Sequence, residues 1–109
     1  MNYTDITLKF GSNLRGFPKK VGHNTYIERD EYGNYYLRLH RTRIITWRPS
    51  GSIILNSGGW TTRTTKDRLN KWIRGYIYQK DFSWYYVDES GAMHEFFDGI
   101  DIGKKPEVC

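Results

Sequence analysis

From Tyr35 to His40 the chain alternates, with Tyr35, Leu37 and Leu39 on one side and Tyr36, Arg38 and His40 on the other. A period of two is what a half-buried strand requires. Thr25–Arg29 reads as a shorter strand before it, across the loop Asp30-Glu31-Tyr32-Gly33-Asn34. A tight connection at Arg41–Arg43 leads into a strand over Ile44–Arg48. The turn signal Pro49-Ser50-Gly51 then precedes a strand over Ser52–Asn56. These four segments predict an antiparallel meander.

The period then changes. Leu69, Trp72 and Ile73 fall at i, i+3 and i+4, one apolar face of a helix. Thr64-Thr65-Lys66-Asp67 supplies a hydroxyl N-cap with an acid three positions on, and Gly75 fits C′. The prediction is one helix over Thr65–Arg74. Strands are predicted at Tyr76–Lys80, Trp84–Asp88 and Met93–Phe97, with Glu89-Ser90-Gly91-Ala92 as a hairpin turn. Residues 1–22, broken by Gly11, Gly16, Pro18 and Gly22, read as irregular. The expected fold class is α+β: an antiparallel β-meander sheet of six to seven short strands packed on a single helix. The order is β-β-β-β-α-β-β-β, in a single domain over residues 1–109.

Composition narrows what such a domain does. At 109 residues there is room for one core. No apolar run approaches the roughly 20 residues of a membrane-spanning helix, and the expectation is no membrane. The first residues lack the basic and apolar regions of a secretory signal, which points to the cytoplasm. Cys109 is the one cysteine, so neither a disulfide framework nor a cysteine zinc site is expected. The net charge of +5 is uneven. Residues 1–74 hold 14 Lys/Arg against 5 Asp/Glu, and residues 75–109 hold 3 against 7. That split is consistent with an anionic partner, with self-association into a homo-oligomer, or with ordinary surface solvation.

The segment richest in chemistry is Leu55-Asn56-Ser57-Gly58-Gly59-Trp60-Thr61-Thr62-Arg63-Thr64-Thr65-Lys66. It sets two glycines, four threonine hydroxyls and two cations before a helix start, where open N–H groups and the macrodipole attract anions. Gly58 and Gly59 would let backbone approach a phosphate, Thr61, Thr64 and Thr65 add hydroxyls, and Arg63 and Lys66 add charge. Trp60 offers a ring on which a base stacks. The spacing is not that of a P-loop, and the same residues also make a Gly-Gly turn and a capped helix.

Arg63, Lys66, Asn70 and Arg74 would form one polar ridge on that helix, which adds Asn70 to Arg63 and Lys66 as a candidate ligand contact. Arg38, Arg41, Arg43 and Arg48 crowd the meander, and of this region Arg38 and His40 extend the candidate anion site. Trp72 belongs to the core. Trp84, Tyr85 and Tyr86 are consecutive, so each sheet face receives an aromatic. His23, His40 and His94 lack metal-ligand spacing, and no hydrolase, zincin or paired-carboxylate motif occurs. A binder is expected, not an enzyme, with no cofactor and no metal.

Asn24-Thr25-Tyr26, Arg38-Leu39-His40, Ile44-Ile45-Thr46, Pro49-Ser50-Gly51-Ser52 and above all Leu55 to Asn70 resemble a widespread family of small phage-encoded proteins. The likeness covers roughly residues 23–73. Arg43 stands where the resemblance implies an acidic residue, which makes this face more basic. The resemblance implies an accessory protein acting in the cytoplasm of an infected bacterial host. Three functions fit. One is sequestering a phosphate-bearing nucleotide, such as a host immune signal. The others are binding nucleic acid and inhibiting a host defence protein.

Overall fold

The computed structural model describes residues 1–103, so Cys109 lies outside the described residues. Among the described residues two α-helices, one 3-10 turn (Leu14–Gly16) and nine strands make an α+β fold. The strands are β1 (Lys19–Gly22), β2 (Thr25–Arg29), β3 (Tyr35–Leu39), β4 (Thr42–Trp47), β5 (Ile53–Leu55), β6 (Tyr76–Lys80), β7 (Ser83–Val87), β8 (Met93–Glu95) and β9 (Ile100–Asp101). The helices are α1 (Tyr3–Phe10) and α2 (Arg63–Trp72). From β2 to β8 the order is the expected β-β-β-β-α-β-β-β. The strands divide between two antiparallel sheets, ordered β1-β2-β3-β4-β5-β9 and β6-β7-β8.

The first 22 residues are not irregular. Asn2 caps α1: its side chain accepts from the Asp5 amide, and the Asp5 carboxylate accepts from the Asn2 amide, both at 2.9 Å. Ile6 is fully buried, and the Tyr3 ring packs tilted against that of Tyr35 of β3 at 5.3 Å. The glycines that broke the period lie after this helix, not inside it.

In the large sheet, alternation holds across strands. Thr25, Ile27, Tyr35, Leu37, Leu39, Ile45, Trp47, Ile53, Leu55 and Ile100 share the inner face in register. All ten are buried. Leu69 and Trp72 from α2 and Ile77, Trp84 and Tyr86 from the small sheet join the same cluster. Burying a large apolar side chain stabilises by about 1.5–3 kcal/mol, so this cluster dominates the fold.

Helix α2 begins two residues before its expected start. Thr62, not Thr64, is the N-cap, its Oγ1 accepting from the Thr65 amide at 3.3 Å. The helix also ends early. Ile73 turns extended to pack on the core, so the buried stripe is Thr65, Leu69 and Trp72. Gly75 is therefore not the C′ residue; φ there is +76°, and a Cβ would meet the Val87 carbonyl oxygen at 2.2 Å.

Candidate functional site

Two local events open a cleft where the β3–β4 hairpin meets the start of α2. The register of β3 and β4 slips between Leu37 and Arg38, which leaves Ile44 as an extra residue on β4. A bulge re-aims side chains, and here both Ile44 and Ile45 are buried. Beyond it, His40 adopts φ +54° at the hairpin tip, its amide donating to the Asn24 carbonyl at 2.8 Å.

The cleft measures about 510 Å³. Leu39 and Ile44 give it apolar surface, Trp60 flanks it, and His40 and Arg41 come from the hairpin. Thr42, Ser57, Thr62, Thr64 and Thr65 contribute hydroxyls. Trp60 is 64% exposed, so one wall of the cleft is an aromatic ring open to solvent. The first amides of α2, from Arg63 and Thr64, have no i−4 acceptor inside the helix.

The sequence-predicted residues divide. His40, Trp60, Thr64 and Thr65 line the cleft. Gly58 and Gly59 shape its loop instead: the Gly58 amide donates to Asn56 Oδ1 at 2.6 Å and the Gly59 amide to Ser57 Oγ at 3.2 Å. A Cβ on Gly58 would sit 2.5 Å from Thr42 Cγ2, so this loop packs against β4 only because the residue is glycine. Thr61 lines a different recess, with Trp84 and Phe96.

The predicted cations go elsewhere. Arg63 is solvent-exposed and lies 3.8 Å from Asp67. Lys66 Nζ reaches Gln79 Oε1 of β6 at 3.5 Å. Asn70 clamps β6: its Oδ1 accepts from the Ile77 amide at 2.6 Å, and its Nδ2 donates to the Ile77 carbonyl at 3.3 Å. Arg74 falls outside the helix and pairs with Asp5 and Glu89. The expected ridge therefore does not form, because Asn70 and Lys66 face the small sheet. Arg38 lies on the outer face of the large sheet, beside Glu28 at 3.4 Å and over the Tyr26 ring at 4.6 Å. Arg41, absent from the expected site, is the cation lining the cleft. Its hairpin position was readable, but its meeting with α2 depends on tertiary packing. Among the described residues no cluster of His, Cys, Asp or Glu is arranged to hold a metal ion, and no helix is long and apolar enough to cross a membrane.

Residues 7–103 match the model of a family described as Kyanoviridae Gp96 protein. The chain belongs to that family. The resemblance to small phage-encoded proteins thus holds, and the family match takes in every residue lining the cleft. No curated protein and no solved structure matches the chain.

Proposed function

We propose that this phage protein is a non-enzymatic binder of a phosphate-bearing nucleotide, held in the cleft between the β3–β4 hairpin and α2. The observation that carries the reading is the division of the cleft into two kinds of surface. Trp60, Leu39 and Ile44 form an apolar part where a base would stack or pack. Arg41, His40 and the hydroxyls of Thr62 and Thr64 form a polar part beside the open amides of α2, where a phosphate would sit. Binding of this kind in the infected cell's cytoplasm would keep a nucleotide signal from its host receptor.

Calorimetric titration with linear and cyclic nucleotides tests the reading, with Trp60 fluorescence as a second readout. Arg41→Ala should weaken phosphate-bearing ligands by roughly ten- to a hundredfold, since a charge-assisted hydrogen bond contributes about 1.5–3 kcal/mol. Trp60→Ala should weaken nucleotides but not inorganic phosphate. Arg63→Ala, outside the cleft, should change neither. Failure of every nucleotide to bind, or wild-type affinity in both Arg41→Ala and Trp60→Ala, would sink the proposal.

A further inference from the structure

The outer face of the large sheet carries a second arrangement, separate from the cleft. Lys20 pairs in register with Tyr26, Tyr26 with Arg38, and Arg38 with Arg43, so these four side chains form one row across β1, β2, β3 and β4. At about 4.8 Å per strand the row spans roughly 14 Å. The Arg38 guanidinium lies over the Tyr26 ring at 4.6 Å, and that of Arg43 over Tyr36 at 3.9 Å. Glu28 Oε1 is within 3.4 Å of Arg38 Nε and 3.2 Å of Arg43 Nε.

Like charges directly opposite on neighbouring strands repel, and one carboxylate between two guanidiniums leaves cationic surplus. Lys20, exposed, adds to that surplus at one end. Contact with a tyrosine ring restrains each guanidinium and lowers the entropy it loses on binding. Arg43 keeps half its side chain in solvent, so its second face is open.

We propose that this outer face binds single-stranded nucleic acid, with phosphates along the Lys20–Tyr26–Arg38–Arg43 row and bases stacked on the arginine–tyrosine pairs. Charge complementarity selects a polyanion. The arginine–tyrosine pairs select unpaired bases over a duplex, whose bases are already stacked within it.

Fluorescence anisotropy with a labelled 12-nucleotide single strand, titrated between 50 and 200 mM salt, tests this on the full chain. About three phosphate contacts predict a slope of log affinity against log salt near −2. Arg43→Gln should bind about tenfold more weakly and flatten the slope by about 0.7. Lys20→Gln should flatten the slope similarly with no loss of stacking. Arg43→Lys should keep the slope yet lose affinity, a separation that a purely structural role for Arg43 would not produce. Trp60→Ala should leave oligonucleotide binding unchanged, which keeps this surface distinct from the cleft. Both Gln substitutions are at exposed side chains, and an unaltered circular dichroism spectrum confirms the fold. No binding at 50 mM salt, equal affinity for duplex or polyglutamate, or wild-type behaviour in Arg43→Gln would each overturn the proposal.

Discussion

Single side chains here act mainly by closing turns. Asp30 holds the β2–β3 loop: its carboxylate accepts from the amides of Tyr32 and Asn34, from the Asn34 side chain and from the Tyr36 hydroxyl. Burial alone would raise its pKa, but the hydrogen bonds from Tyr36 and Asn34 outweigh that and hold it at about 2. The folded carboxyl thus binds its proton less tightly than the unfolded one. Its contribution is full above the ordinary value of 3.8 and is lost as pH falls through about 2. Asp30→Asn should lower the thermal midpoint at pH 7, and the gap from wild type should narrow between about pH 4 and pH 2. A gap of constant size across that range would show that the carboxylate charge is not what matters. The loop was legible in the residues, since Asp, Gly and Asn mark a turn. The β6–β7 turn was less so. Asp81 and Phe82 both take positive φ there, and phenylalanine is a residue that sequence reasoning does not place in that region.

Among the elements, strands of the meander were readable because one face is buried throughout, and alternation then has a physical cause. β9 was not readable: two residues long, it exists because Ile54 and Leu55 offer it an edge to pair with. Helix α1 was missed although Tyr3, Ile6 and Phe10 fall at i, i+3 and i+7, because eight residues show that period for barely two turns and the glycines that follow mask it. For α2 the helix was evident and its cap was not, since Thr61, Thr62, Thr64 and Thr65 all offer hydroxyls. Only packing against β4 and the core selects Thr62. Thr62→Ala should therefore cost about 1 kcal/mol in chemical denaturation, while Thr64→Ala, exposed and uninvolved in the cap, should stay within about 0.5 kcal/mol. Equal costs for the two would return the helix start to Thr64.

At the scale of the whole molecule, the described residues form a plate of 43 × 41 × 18 Å, and its two sheets are tied together largely through α2. The opposite charges of the two chain halves meet here in one pair, Arg74 lying 3.9 Å from Glu89, while Asp5 of its own half lies 3.6 Å away. The stronger tie is Asn70. Its side-chain amide has both donor and acceptor facing Ile77, so it completes the hydrogen bonding of the edge strand β6 much as a neighbouring strand would. Ile77 is itself buried, which means that removing the amide strands two backbone groups away from water. Asn70→Ala should cost about 2–3 kcal/mol, since an orphaned buried polar group carries most of its desolvation penalty. Amide hydrogen exchange should locate the loss in β6, β7 and β8, ahead of the large sheet. Nucleotide affinity at the cleft should not change, because Asn70 lies one side of α2 and the cleft-lining threonines lie at its first turn. Sequence spacing alone had grouped Asn70 with Arg63 and Lys66 as ligand contacts, and the two assignments part cleanly in this variant. A stable Asn70→Ala protein with weakened nucleotide binding would restore it to the site, and a destabilised one with intact binding makes it the clamp that joins the sheets.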